Sequence, residues 1–224
     1  MQSDIPENAH GNRSSLVEAG RRIEAESFRI IDAEMGPHDF PEDQWQIVRR
    51  VIHTTGDFDH AARVRIHSRA VSSGVAALRS GASIIADTRM IEVGLSPWRL
   101  RWFGNSVLTP AADPRSQQWA ESTGTTRSVA AFRHCRERLN GSIVAVGNAP
   151  TALLEVIRQV EEEAIRPALV IGVPVGFVQA LESKQLLWNT KDLPSITILS
   201  RKGGSTVAVA IIHALLELAH SSEK

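Results

Sequence analysis

Arg50 and His53 stand three residues apart at the end of a helical pattern, so a cation and a proton-transfer group project together from one helix end. Histidine has a reference pKa of about 6.5, which lets it give or take a proton near neutrality. The negative end of a helix dipole favours an imidazolium, and a neighbouring guanidinium opposes it. Taken alone, such a histidine is an ordinary helix-end residue. A second group, His53, Asp57, Asp59, His60 and His67, contains metal-ligand types, yet its spacing matches no compact helical pair of the HExxH kind. No metal site is expected there. A third feature is the segment from Ile143 to Ser183, where two β-branched runs end in glycine and feed proline-bearing turns, Gly147-Asn148-Ala149-Pro150 and Gly172-Val173-Pro174, ahead of helical patterns. In a parallel sheet such turns fall at the carboxyl ends of strands, where helix-start N–H groups can receive anionic groups.

The elements that must position these residues alternate. Strands are expected at 63–66, 83–87, 143–146, 168–171 and 195–199, with an edge strand over 100–103 in a segment rich in proline and tryptophan. Helices are expected from Pro41-Glu42-Asp43 onward and over 68–79, 128–139, 150–165, 175–188 and 205–219, the last apolar almost all round and so buried. This is an α/β chain, a flavodoxin-like three-layer α/β/α arrangement with a mainly parallel sheet. Residues 1–22 are polar and read as a flexible N-terminal arm, with 23–224 as a single domain.

Composition excludes several classes. The 224 residues are 42% hydrophobic and 22% charged, enough for a sizeable core, and no apolar run reaches the length a membrane span needs. The N-terminus lacks the apolar centre of a signal peptide, so a cytoplasmic protein is expected. Cys135 stands alone, which excludes an internal disulfide and a cysteine-based metal site. A formal net charge of zero argues against nucleic acid as the main partner. There is no GxGxxG after a strand, no GxxxxGK[ST] and no GxSxG, so dinucleotide binding, P-loop hydrolysis and α/β-hydrolase chemistry lack their usual marks.

Six stretches together resemble one family. SFRII at Ser27 to Ile31, RRVIHTTGDFD at Arg49 to Asp59, GTTRS at Gly124 to Ser128, VGNAPTAL at Val146 to Leu153, GVPVGFVQALESK at Gly172 to Lys184 and RKGGS at Arg201 to Ser205 are similar, in order, to the precorrin-8X methylmutases of cobalamin biosynthesis. The resemblance spans roughly residues 23–219. It implies a flavodoxin-like fold, a homodimer, no cofactor, and an isomerase that moves a methyl group between adjacent ring carbons of precorrin-8X or cobalt-precorrin-8, giving hydrogenobyrinate or cobyrinate. It also puts the catalytic histidine on His53 and substrate contacts on Ser27 and Arg50. Two positions depart from the family: His213 stands where Asn is usual and Ser200 where Gly is usual, changes expected to repack the last helix and to stiffen the loop before RKGGS.

Such a substrate is fringed with carboxylates and asks for many separate anion holders. Arg50, Arg127, Lys184, Arg201 and Lys202 fall in loops or at helix ends of the matched stretches, Asn148 lies in a turn, and Gly203, Gly204 and Ser205 can present backbone N–H groups at the start of the last helix. Each basic residue also reads as a solvated surface charge, and the Asn148 turn as simple chain reversal. His60, His67, His134 and His220 read as surface or loosely packed, Cys135 as an inert thiol despite Arg133, Arg136 and Arg138, and Trp98, Trp102 and Trp119 as packing. The alternatives are a non-catalytic tetrapyrrole-binding protein and a flavin or nicotinamide oxidoreductase. Colour separates them: corrinoid, yellow or none.

Overall fold

The computed structural model describes residues 8–221, with side chains from Glu18 onward. The chain falls into two compact units, Met1–Asp39 and Phe40–Lys224. The first contains helix α1, Asn8–Met35, which ends at Gly36, whose left-handed backbone turns an N–H back to the Asp32 carbonyl. The arm expected over residues 1–22 is therefore helical from Asn8, and residues 1–7 lie outside the described residues. Polar but strongly helix-forming residues such as Glu18, Arg21, Arg22 and Glu24 make a helix without an apolar signature, which is what the composition obscured. The division between the compact units falls after Asp39.

The second unit is built on a six-stranded sheet in the order β1-β6-β5-β4-β2-β3, comprising β1 Val64–Ile66, β2 Ile84–Ala86, β3 Val107–Leu108, β4 Ile143–Val146, β5 Leu169–Gly172 and β6 Ser195–Ile198. All pairs are parallel except β1 with β6. Every residue of β4, β5 and β6 is buried, as expected of parallel strands covered on both faces. Helices α2 Glu42–Thr55, α3 Asp59–Arg63, α4 Ala70–Arg79, α5 Arg89–Gly94 and α6 Pro97–Leu100 precede β3. Then come α7 Ser116–Thr123, α8 Arg127–His134, α9 Pro150–Glu162, α10 Ala180–Asn189 and α11 Ser205–Ser221. One layer is formed by α2, α4 and α5 packed around α11, the other by α8, α9 and α10. In the latter, Phe132, Leu139, Leu153, Val156 and Leu187 close over Val144, Val146 and Val170. Burying a side chain the size of Phe132 contributes on the order of 2–3 kcal/mol.

Two expected elements are wrong. Residues 100–103 are not a strand: Ser96 accepts from the Arg99 N–H and Pro97 occupies the first turn, which starts the short helix α6 instead. Gly104 at φ 72° then reverses the chain, and the edge strand is β3. The helix expected from Val175 begins at Ala180, because Gly176 and Gln179 both take positive φ and leave 173–179 as a loop.

Candidate functional site

Four loops gather at the carboxyl edge of the sheet: Asp87–Thr88 after β2, 147–149 after β4, 173–179 after β5 and 199–204 after β6. Backbone bonds stitch three of them together. The Gly204 N–H donates to the Val173 carbonyl at 2.8 Å, Gly176 to Arg201 at 3.1 Å and Val175 to Gly147 at 3.4 Å. A side chain on Gly147 would lie 2.8 Å from the Ser205 Cα, and one on Gly203 2.2 Å from the Val173 carbonyl oxygen. These glycines are needed for close approach of the loops, Gly203 also for its φ of 150°.

The turn at Gly147 to Ala149 is already occupied by an anion of the protein itself. Asp87, 4% exposed, accepts the backbone N–H groups of Gly147 at 3.0 Å, Asn148 at 2.8 Å and Ala149 at 2.7 Å. Burial pushes its carboxyl up from the usual range and the three donors hold it back. The expectation that this helix start awaits a ligand anion is corrected: Asp87 fills it. Among the described residues, the start of α11 at Gly203 to Ser205 holds no such internal carboxylate.

His53 is exposed in the last turn of α2, which ends at left-handed Gly56. The loop that follows is tied to the glycine-rich loop by one lysine: Lys202 Nζ lies 2.6 Å from Asp57 Oδ2 and 3.1 Å from Asp59 Oδ2. The hydrogen bond from Lys202 holds the Asp57 carboxyl below its ordinary range, Arg63 and then Lys202 do the same for Asp59, and the two acids raise Lys202. Asp57 and Asp59 therefore serve as ion-pair partners. His60, expected at the surface, is buried, and burial pushes its imidazole down towards the neutral form.

The other expected residues fare differently. Arg50 is half-buried on α2, one turn before His53. Ser27 belongs to the first unit, where its hydroxyl donates to the Ile23 carbonyl. Arg127 is the exposed first residue of α8; the preceding Thr126 caps that helix and reaches Thr151 of α9 at 3.4 Å, beside the 147–149 turn. Asn148 has an exposed side chain. Arg201 is exposed, its guanidinium 5.3 Å from the ring centre of the equally exposed Phe177. Lys184 is not an open anion holder: it is fully buried, and its ammonium donates to the carbonyls of Pro174 and Lys202.

The departures and the remaining singular residues have structural accounts. His213 accepts the Ser96 N–H at 3.0 Å and so pins the start of α6, while the Ser200 hydroxyl accepts from Lys202 N–H at 3.1 Å. Trp102 stacks on His220 and Trp119 on His134, so neither histidine is loose. Burial pushes the Cys135 thiol up to about 11, which makes it inert. A cavity of about 1250 Å³ lies at the sheet edge, along Val107, Leu108, Trp119 and Arg133, and none of the expected site residues lines it.

Asp87 was missed because nothing in its local sequence distinguishes it from any polar strand end. Replacing it by asparagine keeps the volume but removes the charge and turns an NH2 group towards at least one of the three donors. Asp87→Asn is expected to destabilise the fold by about 1–3 kcal/mol and to release the Gly147, Asn148 and Ala149 amides to hydrogen exchange while β4 stays protected. Unchanged protection at those three amides would remove Asp87 from this role.

The geometry has counterparts among known proteins. The family model described as Precorrin-8X methylmutase matches residues 22–218. The chain is 44% identical to the Cobalt-precorrin-8 methylmutase of Leptospira interrogans, over 91% of this chain and 96% of that protein. It is 38% identical to the Precorrin-8X methylmutase of Pseudomonas aeruginosa, over 89% and 96%. The crystal structure of a precorrin-8X methylmutase from Thermus thermophilus superposes with a TM-score of 0.85 at 48% identity, covering 90% of this chain and 97% of that one. With the family's model spanning nearly the whole of the α/β unit, this chain belongs to the precorrin-8X methylmutase family.

Proposed function

We propose that His53 supplies the proton in the reaction of this methylmutase, an intramolecular isomerase of cobalamin biosynthesis acting on precorrin-8X or cobalt-precorrin-8. The methyl group leaves one ring carbon and bonds to its neighbour, so substrate and product contain the same atoms. What the protein must supply is a proton lent to the conjugated ring, recovered when the ring gives up a proton as the shifted isomer forms, and a rigid grip on the macrocycle. The observation that carries this reading is the Lys202 tie. It joins the loop behind the exposed His53 to the loop of Arg201, Gly203, Gly204 and Ser205, so that a proton donor and anion-binding groups share one edge.

Arg50, Arg127, Asn148, Arg201 and the N–H groups of Gly203 and Ser205 are the peripheral carboxylate holders in this reading. Lys202 is shared between that task and its two acids. Exposed Val175, Phe177 and Val178 give the same edge an apolar face suited to a ring plane.

The assembly proposed is a homodimer. The sheet ends at the two-residue strand β3, and beside it lies the cavity of about 1250 Å³ with exposed Val93 on its wall. Such an edge suits a second copy of the chain. Light scattering at micromolar concentration is expected to give twice the chain mass, and a monomer would overturn the assembly.

Arg127→Ala is expected to weaken binding and leave the saturating rate near wild type, because a peripheral carboxylate keeps its charge through the shift. A lowered kcat at unchanged affinity would assign it another role. His53→Asn keeps a hydrogen-bonding group that cannot donate a proton at neutral pH. Conversion of precorrin-8X, followed by absorbance, should fall about 10²- to 10⁴-fold while titration with product stays near wild type. Full turnover by this variant would reduce His53 to a positioning group.

A further inference from the structure

A lysine buried in an α/β fold needs a reason, since a methionine of similar length would fill the same space without removing an ammonium from water. Lys184 on α10 has no exposed surface. Its Nζ donates to two carbonyls, Pro174 and Lys202, each at 2.9 Å. These belong to different loops, one after β5 and the other after β6. Two backbone bonds join the same loops on either side of the ammonium, Gly204 N–H to Val173 and Gly176 N–H to Arg201. The Lys202 side chain then continues outward to Asp57 and Asp59, behind His53. A continuous path of contacts thus runs from the buried ammonium to the loop that follows the proposed proton donor.

We infer that Lys184 is a positioning residue, whose ammonium locks the 173–179 loop to the 199–204 loop and so sets where Arg201, Lys202 and the His53 loop stand relative to one another. What the lock serves rests on the proposed reaction; the lock itself does not. Without the ammonium, two carbonyls at the crowded junction lose their donor, and the loops separate where Gly203 now approaches Val173 most closely.

Burial pushes the Lys184 ammonium down to about 8. The charged groups around it do not change in that range. His60 of α3 is held towards its neutral form by burial, Asp57 and Asp59 are held ionised by their cations, and Lys202 is held charged by those acids. As pH rises through about 8 the neutral amine keeps two N–H donors for Pro174 and Lys202, and the cost of holding an ammonium out of water is relieved. The native state binds fewer protons than the unfolded chain between the folded value and the ordinary lysine value of 10.5, so this group makes the fold more stable as pH rises there. A loop opening that returns Lys184 to water obeys the same linkage, so loop protection should rise with pH over that range, a step that a lysine outside the lock would not produce.

The test uses the full chain without substrate. Amide exchange at Gly176 and Gly204, corrected for intrinsic rates, is followed from pH 7 to 9 in the wild type and in Lys184→Met. In the wild type, protection at both amides is expected to rise about tenfold from pH 7 to 9; in Lys184→Met it is low throughout, with no pH step. Flat wild-type protection across pH 8, or full protection in the methionine variant, overturns the lock. Turnover is measured alongside: Lys184→Met is expected to lower kcat on the order of 10²-fold with KM changed much less. Loss of protection with unchanged turnover overturns the positioning role. A wild type that does not convert precorrin-8X refutes the proposed reaction instead, and the exchange result still decides whether Lys184 holds the loops. The wild-type series stands even where the methionine variant fails to fold.

Discussion

Three backbone N–H groups at the start of α9 point at one buried carboxylate, and the arrangement of the whole carboxyl edge depends on that contact. In many open α/β sheets this position is left for a phosphate or carboxylate of the ligand. Here the parallel pairing of β2 with β4, register Ala86 to Ala145, brings Asp87 level with the turn and neutralises the helix start from within. With that anion hole closed, Gly147 can sit flat against Ser205, and the N-terminal ends of α9 and α11 are fixed side by side. In the proposed reading the site is thereby displaced towards α11 and the loops around it.

The displacement explains how a chain of zero net charge can present a cationic edge. Positive groups there are kept apart by different devices. Lys184 is buried under carbonyls, Lys202 is shared with two acids, Arg201 leans on the Phe177 ring, and Arg127 projects from the first turn of α8. The last of these is unfavourable to a helix dipole, whose N-terminus prefers acids. An arginine at that position against the dipole asks for compensation outside the helix, which in the proposed reading is a carboxylate of the substrate.

Much of this could be read from sequence because the decisive signals were local. β-branched runs ending in glycine gave β4 and β5, the near-uniform apolarity of 205–219 gave the buried α11, and six ordered motifs gave the family. The misses share a different cause: each depends on a partner distant in the chain. Asp87 is remarkable to no local pattern until β2 lies beside β4, and the burial of Lys184 follows from two loops closing over it. The short helix α6 was locally legible through Ser96-Pro97, but the neighbouring tryptophans drew the reading towards a strand. The N-terminal helix failed for the converse reason, since a polar helix without an apolar stripe has no periodicity to detect.

The two positions expected to depart from the family, His213 and Ser200, bear on how tolerant such an edge is to change. His213 projects from α11 to accept the Ser96 N–H, a bond that an asparagine could make only from a shorter side chain, so the α6 start is set by the residue this chain carries. Ser200 takes the Lys202 N–H with its hydroxyl, an acceptor that glycine lacks. That second bond acts on the same residue whose carbonyl receives Lys184 and whose ammonium receives Asp57 and Asp59. Lys202 is thus constrained at its N–H, its carbonyl and its side chain at once. A loop held at three points of one residue needs little regular structure, which is how 199–204 keeps its geometry with glycines at two of its six positions.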